Sequence, residues 1–161
     1  MWTKAKGYVT LYAIWRNGES KDPVPAEFTF PMRRGISIGG VVHNEAGKPI
    51  AGVKLEPWLR LEDEPQGRVR PSTSRYTART NAEGKWRLND VPKGLARVSF
   101  RLDHADYISD SSYGQTPSPP VAKLMDMTGV MVMKRGMAVE GTITDPDGAA
   151  VAGATVAQGG D

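Results

Sequence analysis

The stretch Gly40-Val-Val-His-Asn-Glu-Ala-Gly-Lys-Pro-Ile-Ala-Gly-Val-Lys-Leu55 reads as strand, tight turn, strand. An apolar run meets a polar corner with a glycine and a proline, and a second run follows, led by Val53 and Leu55. The same pattern returns as Gly141-Thr-Ile-Thr-Asp-Pro-Asp-Gly-Ala-Ala-Val-Ala-Gly-Ala-Thr-Val156. Gly40 aligns with Gly141, Gly47 with Gly148 and Gly52 with Gly153, a constant offset of 101 positions without a gap. Met32-Arg33-Arg34-Gly35 recurs at the same offset as Met133-Lys134-Arg135-Gly136. A hairpin and a junction repeated at a domain-sized interval predict tandem β modules.

Three parts follow. Residues 1–35 read as the last strands of a preceding module, residues 36–136 as a complete one, and residues 137–161 as the first hairpin of the next. The two flanking pieces are complementary, and one hypothesis is that they pack on each other as a makeshift second sandwich.

Within 36–136 the signal is alternation. Ile36, Ile38, Gly40 and Val42 share one face. In the second copy Met137, Val139, Gly141 and Ile143 do the same, with Ala138, Glu140, Thr142 and Thr144 opposite. Trp86 and Leu88 point inward after an Asn81-Ala82-Glu83-Gly84 turn. Val98, Phe100 and Leu102 alternate with Arg97, Ser99 and Arg101. Gly129–Met133 closes the module. Tyr76–Thr80 is a further strand, and Ala122–Met127 is the one place for a short helix. Pro57–Ser74, with Trp58, the acidic Glu62-Asp63-Glu64 and Pro65, reads as an exposed insertion. About seven short alternating strands in roughly 100 residues predict an all-β sandwich. In the leading part, Tyr8–Trp15 and Phe28–Phe30 have strand composition, joined through an Asn17-Gly18 turn and the Lys21–Pro25 loop.

Composition agrees. The chain has 161 residues, 39% of them hydrophobic, and its 18 glycines and 12 prolines are spread over turns. Without cysteine there is no disulfide or thiolate chemistry. A formal charge of +3 does not point to nucleic acid. No run is long enough to span a bilayer, and Tyr8–Trp15 lacks the small-residue cleavage site of a signal peptide.

With those residues in place, the pattern Val42-x4-Gly47-x-Pro49-Ile50-x-Gly52-Val53, then Thr80-Asn81-x2-Gly84-x-Trp86-x-Leu88-x2-Val91-Pro92-x-Gly94, then Asp106-Tyr107, resembles the carboxypeptidase regulatory-like domain. The resemblance covers Ile36 to about Tyr107. It implies a transthyretin-like Greek-key β-sandwich related to carbohydrate-binding-like folds. The layout also resembles tandem arrays in large bacterial envelope proteins, which implies an extracytoplasmic location and neighbouring β modules as partners. In metallocarboxypeptidases that carry such a module, catalysis belongs to a separate domain.

The expected function is a non-catalytic structural spacer or protein-interaction unit. The alternatives are a carbohydrate-binding module and a regulatory domain linked to a peptidase. His43 and His104 are far apart in sequence, and no histidine cluster has metal-ligand spacing, so no catalytic residue, cofactor or metal is expected. Asp145-Pro146-Asp147-Gly148 reads as a plain turn rather than a calcium loop. For a polysaccharide or other ligand, the available platform is Trp58 and Tyr76 with Arg60 and the acidic Glu62–Glu64 cluster. Against it, a tryptophan is usually mostly buried, so Trp58 is expected to cover the sandwich end beneath the long loop. Lys85, Arg87, Arg97 and Arg101 are expected to form one solvated basic face without an aromatic residue.

Overall fold

In the computed structural model, residues 1–15, 24–63, 67–109, 115–116, 118–137 and 140–156 are described. The Asn17-Gly18 turn, Lys21–Pro23, Glu64, Pro65, Ala138 and Val139 lie outside them. The strands are β1 (Trp2–Thr3), β2 (Leu11–Ala13), β3 (Ile36–Asn44), β4 (Lys54–Leu61), β5 (Val69–Pro71), β6 (Ala78–Arg79), β7 (Lys85–Val91), β8 (Leu95–Asp103), β9 (Tyr107–Ser109), β10 (Gln115–Thr116) and β11 (Gly129–Arg135). A short helix, α1 (Val121–Met125), sits where the sequence allows one.

The architecture is an all-β sandwich. One four-stranded sheet runs β10-β8-β4-β6 and the other β7-β3-β11-β9. The chain passes between these two sheets at β3–β4, β6–β7, β7–β8, β8–β9, β9–β10 and β10–β11. Neighbouring strands pair antiparallel, except that β11 lies parallel to β3. At that parallel seam Gly40 faces Gly129, and a Cβ on Gly40 would stand 2.2 Å from the Gly129 carbonyl oxygen. Glycine is required there by close backbone approach.

The alternating positions fill the space between the sheets. Ile38, Val42, Val53, Leu55, Val98, Phe100, Leu102, Met131 and Met133 are buried, and Trp86 packs edge-on against Phe100 at 5.1 Å. Each large apolar side chain removed from water contributes about 1.5–3 kcal/mol. Leu124 of α1 closes one end of this core.

Three turns share one chemistry. Asn44 Oδ1 accepts the N–H groups of Ala46 and Lys48, and Asn81 Oδ1 accepts that of Lys85. Asp145 Oδ1 accepts those of Asp147 and Ala149. In each, a glycine three residues on (Gly47, Gly84 or Gly148) takes positive φ, which a side chain would penalise. The first and third turns also match across the hairpin. Ile50 N–H bonds to the Val42 carbonyl, and Val151 N–H bonds to the Ile143 carbonyl 101 positions later.

The core around the two hairpins differs. Val42 and Leu55 are fully buried, whereas Ile143 is 39% and Val156 81% exposed. Met137 is bare as well, so the inward phase read from the sequence faces no second sheet among the described residues.

Among the described residues the two flanking pieces do not pack on each other. β2 pairs with β1 on one side and β5 on the other, so residues 1–13 dock on Val69–Pro71. Residues 140–156 are exposed throughout. Phe28–Phe30 forms no strand. Its rings instead build an edge-to-face series with Trp15, at 4.8 and 5.1 Å.

Pro57–Ser74 is also more ordered than an exposed insertion. β4 continues through Pro57 to Leu61, paired with β8, because Leu55, Pro57 and Leu59 keep the inward period. A proline fits there because β6 pairs only with Lys54 and Leu55, so no neighbour on that side needs its N–H. Val69–Pro71 then supplies β5, the strand on which β2 rests.

Candidate functional site

The outward side chains of β4 and β8 form a flat face at the centre of their sheet. Pairing across the two strands sets Lys54 opposite Asp103, Glu56 opposite Arg101, Trp58 opposite Ser99 and Arg60 opposite Arg97. Directly opposed side chains in an antiparallel pair start about 5 Å apart, and diagonal ones about 7–8 Å. Trp58 therefore has Arg60 beside it on its own strand and Arg97 and Arg101 on the two diagonals. The residue across from it, Ser99, is small and leaves the indole uncovered.

Trp58 is 44% exposed and does not cover the sandwich end beneath a loop. The reason is phase: its neighbours Pro57 and Leu59 take the inward positions of β4. The other three tryptophans all have ring partners. Arg75 lies over Trp2, Arg68 over Trp15, and Trp86 meets Phe100. No ring or guanidinium covers Trp58 among the described residues.

Charge is uneven along this face. At one end Lys54 Nζ sits 2.6 Å from Glu56 Oε1. That hydrogen bond and charge, with a smaller contribution from Arg101, hold the Glu56 carboxyl below its ordinary range. At the other end Arg60 and Arg97 oppose each other, and neither guanidinium has a carboxylate partner among the described residues.

Tyr76 stands apart from this face. It is buried in the core at 9% exposure, and its hydroxyl donates to the Asp90 carbonyl at 3.1 Å. Burial first, and the nearby Asp90 charge second, push its pKa up to about 12. The structure thus brings Trp58 and Arg60 together and places Tyr76 inside, between the sheets.

The expected single basic face is divided. Lys85 and Arg87 are on β7, in the opposite sheet from Arg97 and Arg101. Arg87 is engaged locally, donating to Asn89 Oδ1 at 2.8 Å and Ser37 Oγ at 2.9 Å. Arg97 and Arg101, contrary to expectation, do share their face with an aromatic ring. Sequence reading missed them as neighbours of Trp58 because register across β4 and β8 is a tertiary property. The one available signal was the Leu55-Pro57-Leu59 alternation, which places Trp58 and Arg60 outward together.

Both histidines serve backbone groups. His43 Nδ1 donates to the Asn44 carbonyl at 2.8 Å. His104 Nδ1 accepts the Asp106 N–H at 3.0 Å, which leaves Nε2 to donate to the Ala51 carbonyl at 3.2 Å. Among the described residues no three His, Cys, Asp or Glu side chains are grouped to hold a metal ion. Glu62 and Asp63 line a cleft of about 560 Å³ where Val9 and Leu11 approach Leu61, Val69 and Pro92. Among the described residues, no helix is long and apolar enough to cross a membrane.

No family model, curated protein or solved structure matches the chain. Its function is therefore read from its side chains.

Proposed function

We propose that this chain is a non-catalytic β-sandwich module of a tandem array, acting as a structural spacer or protein-interaction unit. The carboxypeptidase regulatory-like pattern in its sequence fits that role. The observation that carries the reading is the second hairpin. It repeats the backbone hydrogen bonds of the first at an offset of 101 positions, yet leaves Ile143, Val151 and Val156 in water. Those residues occupy the places of Val42, Ile50 and Leu55, which are core. A hairpin with turn chemistry built in and an apolar face uncovered is suited to seed a further sandwich.

The outer face of the β7-β3-β11-β9 sheet supports contact between modules. Val130, Val132 and Ile108 stand exposed on it, with Met127 at its end. Apolar side chains grouped on one face suit association with another surface. Each histidine ring bonds backbone rather than facing a nucleophile, which suits a unit without chemistry of its own.

The test is a chimera in which residues 56–136 are fused after Val156, so that the second hairpin receives the strands that follow the first. Amide exchange of residues 141–156 is expected to slow, and unfolding to acquire a second cooperative unit. Exchange as fast as in the parent chain would show that this hairpin is not a module seed.

A second reading, carbohydrate binding, is favoured by one specific feature: the uncovered indole of Trp58 on a flat sheet face. The apolar face of a pyranose ring stacks on such a surface, while polar neighbours take its hydroxyl groups.

A further inference from the structure

The pairing of Arg60 with Arg97 is unfavourable in the isolated molecule. Like charges directly opposed on adjacent strands destabilise a sheet. Here they are opposed near one end of the two central strands, and no carboxylate answers either one among the described residues. The opposite end of the same strands shows the usual solution, with Lys54 facing Asp103 and Glu56 facing Arg101. Two unanswered guanidinium groups beside an uncovered indole are complementary to an anion that also carries an apolar face.

We infer that the face made by Trp58, Arg60, Arg97 and Arg101 binds an acidic polysaccharide, with a carboxylated pyranose unit stacked on Trp58 and its carboxylate held by Arg60 and Arg97. This inference rests on the carbohydrate-binding reading of Trp58 and adds the charge of the sugar. Guanidinium groups match a carboxylate in a planar, two-bond geometry, and such charge-assisted bonds are stronger than neutral ones. Arg101 lies on the far diagonal from Trp58, within reach of the next sugar along the chain. The flanking pairs lie toward the other end, β6 on Lys54 and Leu55 and β10 on Phe100 and Arg101, and beside Trp58 the edge of β4 is tied by the Leu59 N–H to the Thr73 carbonyl.

The same chemistry separates this ligand from single-stranded nucleic acid. A nucleic acid strand needs successive stacking rings along a continuous basic track. This face offers one ring, and its cationic end gives way to Glu56 and Asp103.

The test uses the full chain and two matched polymers: polygalacturonate and its fully methyl-esterified, uncharged form. Binding is followed by titration calorimetry and Trp fluorescence, with an oligothymidylate of eight nucleotides as the competing polyanion. The expected result is binding to polygalacturonate at least tenfold tighter than to the ester. Trp58→Ala should abolish both interactions. Arg60→Gln and Arg97→Gln should each weaken polygalacturonate tenfold or more and leave the ester unchanged. All three side chains point outward, and a thermal midpoint no lower than the parent's shows that each variant is folded. Equal binding of acid and ester, both lost in Trp58→Ala, would overturn the acidic specificity and leave carbohydrate binding standing. No binding to either polymer would overturn both readings. Tighter binding of the oligothymidylate, lost in Arg97→Gln, would assign the face to nucleic acid instead.

Discussion

Replacing Thr80 by valine tests whether one buried hydroxyl holds the leading hairpin to the rest of the sandwich. The Thr80 hydroxyl donates to the Ile50 carbonyl at 2.7 Å and accepts the Val53 N–H at 2.8 Å. The Thr80 backbone adds two more bonds, from its own N–H to the Val53 carbonyl and from Gly52 N–H to its carbonyl. Thr80 itself is buried. Valine keeps the shape and the backbone bonds, so the change isolates the hydroxyl. It leaves one buried N–H and one buried carbonyl without their partner, at about 1–3 kcal/mol each, and the added apolar surface offsets part of that. A net loss of about 2–4 kcal/mol is expected, a large share of the stability of an ordinary domain. With an m-value of about 2 kcal/mol/M, the urea midpoint should fall by about 1–2 M at unchanged slope. Trp86 fluorescence in the core provides the signal. Thr80→Ser is the control, because it keeps the hydroxyl and loses only a methyl group, at about 1 kcal/mol. A valine variant within about 0.5 kcal/mol of the parent, or a serine variant as damaged as the valine one, would refute the reasoning.

Two further outcomes follow from other parts of the fold. Gly40→Ala should cost about 1–3 kcal/mol or more and speed amide exchange in β11, because its Cβ would press on the Gly129 carbonyl oxygen. Gly141→Ala, at the equivalent place in the repeat, meets nothing within 4 Å and should be nearly silent in the same urea titration. Tyr76 keeps its proton to about pH 12 in the folded chain, against an ordinary value of 10.0. Its contribution is therefore fully present below pH about 10 and is lost as the pH rises toward 12. That loss is roughly 2 kcal/mol once partial solvent access of the hydroxyl is allowed for. Urea midpoints of the parent and Tyr76→Phe should therefore converge as the pH rises from about 10 toward about 12, the window between the ordinary and the raised pKa. A constant difference across it would show that the hydroxyl is not shielded.

Much of this protein was settled by local sequence. A glycine that must take positive φ after Asn44, Asn81 or Asp145 marks a turn wherever it occurs, since the hydrogen bonds that make the turn lie within five residues. Alternation with a period of two likewise puts Val98, Phe100 and Leu102 on one face before any partner is known. The all-β sandwich follows from these two properties together. The duplicated hairpin was equally visible, because repetition needs no folding to be seen.

Only the tertiary structure decided which strands lie side by side. Pro57 interrupts the β composition of its segment, so β4 looked like loop, although pairing with β8 carries it to Leu61. Tyr76 and Trp58 are both aromatic residues near a long connection, and nothing local separates the one that enters the core from the one that stays in water. The opposition of Arg60 and Arg97 arises from residues 37 positions apart brought into register. Turns and strand phase are decided by short-range sterics and hydrogen bonds. The face around Trp58 is decided by which backbone groups pair across the sheet, and that choice is made by the core as a whole.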